Sequence, residues 1–199
     1  MKQAAFANPA LVSYRTARYK AVAVPAGRRP AVIRDIMRFR AGTPPAGRTE
    51  VRLRHTASHL LLDVRCREPD PAAIRAGNTR DGMELWSGDL IEIFFGAIEP
   101  VPWQLQLAVG AGGGRFDSSG RYDQWRAVAS RDRRGWRAQV ALPLAMLRFA
   151  NLGTGFNLCR QSLARGEFSS WTGQEVGFHE AENYGELLFC DYGTAWQAR

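Results

Sequence analysis

Apolar residues recur at every second position through much of this chain, and that period predicts strands. The stretch TEVRLRHTASHLLLDVRCRE reads as a hairpin: Val51, Leu53 and His55 alternate with arginines, Thr56-Ala57-Ser58 turns, and Leu60 to Cys66 returns. EPDPAAIRAGNTRDG follows as a surface loop with room for one helical turn. Strands are then predicted at 89–95, 103–109, 125–130, 136–142, 155–161 and 185–189, separated by turns rich in Gly, Pro, Asn and Asp. The 142–149 stretch, LPLAMLRF, is the candidate short helix. Gly110-Ala111-Gly112-Gly113-Gly114 lacks the GxxxxGK[ST] pattern and no helix follows it, so it is a flexible hairpin turn and not a phosphate loop. Many short strands with little helix predict an all-β, two-sheet sandwich.

Alternation also sorts each strand into faces. In 89–95, Ile91, Ile93 and Phe95 share one face, and Leu90, Glu92 and Phe94 the other. Trp103, Leu105, Leu107 and Val109 leave Gln104 and Gln106 opposite. Trp136, Ala138, Val140 and Leu142 leave Arg137 and Gln139 opposite. If these strands share one sheet, Glu92, Gln104, Gln106, Arg137 and Gln139 form its outer face. Carboxylates and amide oxygens there would accept from sugar hydroxyls, and Arg and amide nitrogens would donate. A plain solvated sheet face carries the same pattern.

Composition narrows the classes. A chain of 199 residues with 45% hydrophobic and 11% aromatic side chains can bury one substantial core, and it reads as one domain over 1–199. No apolar run approaches the ~20 residues of a membrane span. The N-terminal stretch has no continuous apolar segment of the secretory kind, and Cys66, Cys159 and Cys190 are an odd number without metal-ligand spacing. These features predict a cytoplasmic protein, or a secreted one if a leader has been removed. The net charge of +8 is almost wholly arginine, the only lysines being Lys2 and Lys20. Those arginines are scattered about one per strand with no nucleic-acid motif beside them, so solvated strand faces explain them and no specific nucleic-acid partner is expected.

Catalytic patterns are weak. Asp89 and Glu92 are separated by an odd spacing that puts them on opposite strand faces, which does not suit paired acid–base work. Asp89 instead reads as a structural residue bonding amides of the preceding turn. His55, His59 and His179 are too dispersed for a metal signature. The tryptophans divide: Trp103, Trp125 and Trp136 fall on apolar faces, whereas Trp86 and Trp171 fall in polar loops. Either loop indole can stack on a sugar ring or plug the sandwich.

The stretch Trp86-x-x-Asp89-x-x-Glu92-Ile93-Phe94, preceded by Arg80-Asp81-Gly82, resembles the family-nine carbohydrate-binding modules and their wider DOMON-like superfamily. Gln104-Leu105-Gln106, Gly114-x-x-Asp117, Trp125, Gly135-Trp136 and Ala141-Leu142-Pro143-Leu144-x-x-Leu147 follow in order. So do Phe156-Asn157-x-x-Arg160, Ser170-Trp171 and Phe178-His179-(x)4-Asn183-Tyr184-Gly185-Glu186-Leu187. The resemblance is strongest over residues 45–190; the order and spacing of these elements carry it, not any one of them.

This resemblance implies a jelly-roll β-sandwich with no catalysis of its own. It implies a sugar terminus held between Trp86 and Trp171, with Glu92 as hydroxyl acceptor and Gln106, Asn157 and Arg160 as further partners. Arg160 falls on the alternate face from Asn157, so both cannot line one flat sheet face without a bulge. No cofactor is required, although the family admits structural calcium, for which Asp63, Asp70 and Asp81 are candidates. The superfamily also includes haem-binding redox domains, where Met83 and His179 would be the ligands. A third reading is a sandwich that has lost its ligand site and serves as an interaction module, which predicts a buried or blocked Trp86 or Trp171.

Overall fold

A computed structural model describes residues 20–97, 101–149, 153–172 and 177–190. Its strands are β1 (Ala21–Val24), β2 (Ala31–Ile33), β3 (Met37–Arg38), β4 (Thr49–His55), β5 (His59–Arg67), β6 (Leu90–Ala97) and β7 (Trp103–Gly110). They continue with β8 (Arg115–Asp117), β9 (Arg126–Asp132), β10 (Gly135–Pro143), β11 (Gly153–Ser162), β12 (Glu167–Ser170) and β13 (Gly185–Phe189). The larger sheet runs β1-β13-β11-β6-β7-β8, with β12 pairing both β11 and β3; the smaller runs β2-β4-β5-β10-β9. The two sheets make the all-β sandwich that alternation predicts.

The faces follow the predicted parity. Ile91, Ile93 and Phe95 of β6, Leu105, Leu107 and Val109 of β7, and Phe156 and Leu158 of β11 pack against the smaller sheet. That sheet contributes Val51 and Leu53, Leu62 and Val64, and Trp136, Ala138 and Val140. Each such side chain contributes about 1.5–3 kcal/mol on leaving water, which makes this interlayer the dominant stabilising region. Trp125 is fully buried, and its indole N–H donates to Asp117 Oδ2 at 3.0 Å.

Two expectations change. The helical element of the 142–149 stretch is shorter than the stretch, a single 3-10 turn over Leu144–Met146, because β10 runs on through Pro143. Leu144, Met146 and Leu147 are all buried there, so consecutive residues close the core instead of forming one amphipathic stripe. Second, β10 does not join β6 and β7. It pairs β5 and β9, so Arg137 and Gln139 lie on the outside of the smaller sheet, on the other side of the sandwich from Glu92. Alternation assigns a face within a strand but says nothing about which sheet the strand joins.

Candidate functional site

Strand β6 is buried along nearly its whole length, because its outer face is covered at both ends. At one end the 3-10 turn Met83–Ser87 lays Leu85 and Trp86 over Leu90 and Ala108, with Phe116 alongside. At the other, Tyr184, Phe178 and Ala181 cover Phe94 and Cys159. Glu92 lies between these two covers, in register with Ala108 on one side and Cys159 on the other.

Asn78, which sequence patterns did not single out, positions the Trp86 turn. Its Nδ2 donates to Leu85 O at 2.9 Å and Asp89 O at 3.1 Å, and its Oδ1 accepts from Gly112 N at 3.0 Å. A Cβ at position 110 would sit 2.5 Å from Asn78 Nδ2, so glycine there lets the β7–β8 hairpin close over the amide. Gln161 Nε2 adds donations to Trp86 O and Gly88 O at 3.1 and 3.0 Å. The Trp86 ring is half-buried and meets Phe116 edge-on, centroids 4.9 Å apart.

Glu92 is 5% exposed, and burial pushes its carboxyl above the usual value. Hydrogen bonding from Gln106 and from the Trp86 side chain opposes that shift. Gln106 Nε2 lies 2.6 Å from Glu92 Oε2. Further along the same face, Gln104 Nε2 donates to Tyr184 Oη at 2.6 Å and to His179 O at 3.0 Å. His179 stands edge-on to Phe94 at 5.0 Å, and Phe178 is edge-on to Phe39 at 5.0 Å. This face therefore offers a carboxylate and amides between two aromatic groups. Only the Trp86 side was legible as a loop indole; Phe116 and Phe178 fall within stretches of the family resemblance that assign them no role.

The other predicted residues sit elsewhere or are already engaged. Asn157 shares the outer face but is fully buried, exchanging hydrogen bonds with Ser170 Oγ and accepting from Thr172 N at 3.2 Å. Trp171 lies on the opposite, inner face of the larger sheet, 2% exposed, its ring tilted on Phe156 at 5.6 Å and its Nε1 donating to Asp35 Oδ1 at 3.2 Å. It belongs to the main core and does not face Trp86. A partner for β11 has alternating faces, and Trp171, bonded by its N to Leu158 O, takes the inner one. Arg160 is also inward and 2% exposed. Its Nη2 meets Glu68 Oε2 at 2.8 Å, and Nη1 donates to Gly47 O at 2.9 Å and Arg67 O at 3.1 Å. Arg160 is thus a buried tie and not a lining residue.

Asp89 is fully buried, and burial raises its carboxyl. It accepts from the amide of Leu163 at 2.8 Å, beyond β11, and a backbone hydrogen bond from Arg75 in the preceding loop also acts on it. The calcium candidates do not converge. Asp63 binds Arg137 through both oxygens, at 2.5 and 2.6 Å; Asp81 binds Arg115 at 2.7 Å; and Asp70 caps Ala72 N at 3.2 Å. Among the described residues no three His, Cys, Asp or Glu side chains are grouped to hold a metal. Met83, 72% exposed, and His179 lie at opposite ends of the outer face. Cys66 and Cys159 are buried and Cys190 is exposed, all three as free thiols.

No family model matches this chain, and no curated protein does. Solved structures do match in shape. A family-nine carbohydrate-binding module from Caldicellulosiruptor kristjanssonii in complex with cellotriose superposes with TM-score 0.63 at 13% identity, covering 85% of this chain and 93% of the module. A family-nine module from the same organism in complex with glucose gives TM-score 0.62 at 12% identity, covering 86% and 96%. At this identity the likeness establishes the fold: this chain is a β-sandwich of the family-nine carbohydrate-binding-module type.

Proposed function

We propose that this protein binds carbohydrate without catalysis, on the outer face of the larger sheet between Trp86 and the Phe178–Tyr184 cover. The observation that carries this reading is Glu92, a carboxylate drawn almost out of water in the gap between two aromatic groups, with Gln106 bonded to it. A sugar ring presents apolar C–H faces to such aromatics and hydroxyl donors to such a carboxylate. Trp86 is the stacking surface, Glu92 the hydroxyl acceptor, and Gln106 the group that orients Glu92. The fold shared with modules solved in complex with cellotriose and glucose supports the same ligand class. Since Trp171 is in the core, the opposing wall here is Phe178 with His179, not a second indole.

Titration calorimetry with glucose, cellobiose and xylobiose tests the reading. Binding to one or more of them, weakened at least about tenfold in Trp86→Ala, is expected. Absence of binding to any sugar end, or full binding by Trp86→Ala, overturns it.

The burial of Trp171 favours one second reading, an interaction module in which the sugar site is no longer open. That reading predicts no sugar binding by the intact chain together with a stable fold.

A further inference from the structure

The arginines that look scattered in sequence are gathered by the register of the smaller sheet. Its outward strand positions hold Arg52 and Arg54 on β4, Arg65 and Arg67 on β5, Arg126 on β9 and Arg137 on β10. Against them stand Glu50, Asp63 and, at the hairpin end, Asp132. The outward strand positions carry no lysine, Phe, Tyr or Trp; His59 stands at the end of β5, and Val32, Leu61, Val128 and Ala141 supply apolar surface between the charges. Two cavities adjoin this face: one of about 560 Å³ at its margin, which also reaches Thr49 and Met37 of β3 in the larger sheet, and one of about 550 Å³ on the face itself. One is edged by Arg34, Arg48, Arg65 and Arg67 over Ile36 and Pro45, the other by Arg52, Arg54, Arg126 and Arg137 beside Gln139.

This arrangement is costly for the fold alone. Arg65 and Arg137 are directly opposite in antiparallel register, and like charges so placed destabilise a sheet. Asp63 relieves this in part, holding Arg137 through two bonds and Arg65 at 4.0 Å. Glu50 likewise bridges Arg34 and Arg52, at 2.8 and 2.7 Å. These two carboxylates fix four guanidinium groups on a flat surface and leave Arg54, Arg67 and Arg126 without a carboxylate partner among the described residues. Guanidinium forks suit planar carboxylates and sulfates, which they bind through two parallel bonds.

We propose that the outer face of the smaller sheet is a second binding surface whose ligand is an acidic polysaccharide, one bearing uronate carboxylates or sulfates. The mixture of groups selects this class. Arginines take the anionic groups, while Glu50, Asp63 and Gln139 accept from the hydroxyls between them. A DNA backbone offers no hydroxyls to match those carboxylates, and among the outward strand positions there is no Phe, Tyr or Trp on which bases stack, His59 lying at the far end of β5. The surface lies across the sandwich from Glu92, so it is independent of the sugar site proposed above.

The test uses the whole chain with a galacturonate oligomer, a neutral cello-oligosaccharide, a DNA duplex and phosphatidylserine vesicles as probes. The galacturonate oligomer is expected to bind and to weaken with added salt. Arg54→Gln/Arg67→Gln/Arg126→Gln is expected to reduce that binding by about tenfold or more while leaving neutral-sugar binding unchanged, and Trp86→Ala to do the reverse. Because each face has its own variant and its own probe, one face can fail without the other. The proposal is overturned if the oligomer does not bind, if the triple variant, folded by its circular dichroism, binds it like the parent, or if DNA or the vesicles bind as tightly as the oligomer.

Discussion

Gln106 Nε2 donates to Glu92 Oε2 at 2.6 Å from the neighbouring strand, so the buried carboxylate between the two aromatic covers is held in one orientation. Burial raises its pKa above the ordinary 4.5, and the hydrogen bonds recover only part of that penalty.

Glu92→Gln therefore separates stability from binding. A carboxyl whose folded pKa is raised contributes stability that is fully present below its unfolded value and lost as pH rises through its folded value. At neutral pH the folded protein carries the cost of the buried charge, and the variant does not. We expect Glu92→Gln to be more stable than the parent at pH 7 by about 1 kcal/mol, the gap closing as pH falls to the ordinary carboxylate range. Urea unfolding at both pH values measures it, and a variant less stable at pH 7 defeats the argument. Sugar binding should weaken in the same protein, because a neutral amide is a poorer acceptor than a carboxylate.

The two loop tryptophans should respond differently to truncation. Trp86 is half-buried and packs on a small cluster outside the main core, so Trp86→Ala is expected to cost about 1–2 kcal/mol. Trp171 belongs to the main core, and Trp171→Ala is expected to cost about 3–5 kcal/mol. Denaturant midpoints for the pair measure this. Equal small losses would mean that Trp171 is not the core residue its burial implies.

These tryptophans also mark how far the sequence is legible. Period-two alternation places β4 to β7, β9 to β11 and β13, and gives the inward parity of β6, β7 and β10, because strand geometry forces side chains to alternate. Short edge pieces such as β1, β2, β3, β8 and β12 have too few residues to repeat a period. Sheet membership was not legible for β10, since a face is a local property and a pairing partner is not. The site was half legible: Trp86 and Glu92 share the outer side through the fixed six-residue step from turn to strand, while the place of Trp171 depends on pairing with β11 across the chain. Asn78, which aligns the Trp86 turn, is one polar residue in a polar loop, and only the fold reveals the three backbone groups that it satisfies.

Gly185 is small because Trp171 occupies the space beside it. A Cβ there would lie 2.5 Å from Trp171 Cζ3 and 2.7 Å from Lys20 O. Gly185→Ala is expected to cost about 1–3 kcal/mol by overpacking. In a Trp171→Phe background the ring is shorter, and the alanine penalty should fall measurably below its value in the parent. An unchanged penalty would place the conflict at the Lys20 carbonyl instead.

Arg160 gives the clearest contrast between a ligand contact and a structural tie. It and Glu68 are each 2% exposed and 2.8 Å apart, with Ser162 Oγ also donating to Glu68 at 3.3 Å and Arg165 reaching its other oxygen. Removing Arg160 leaves the buried Glu68 with Arg165, itself partly exposed, as its remaining ionic partner, so Arg160→Met is expected to cost about 3 kcal/mol, the low end for breaking a buried pair. Arg160→Met/Glu68→Gln should recover part of that loss, since no buried carboxylate with half of its ionic partners missing remains. Recovery should be incomplete, because the carbonyls of Gly47 and Arg67 lose the guanidinium that now bonds them. Calorimetry on whatever fraction of Arg160→Met stays folded completes the test. A structural tie predicts parental sugar affinity in that fraction, whereas a ligand contact predicts lost affinity in a protein of undiminished stability.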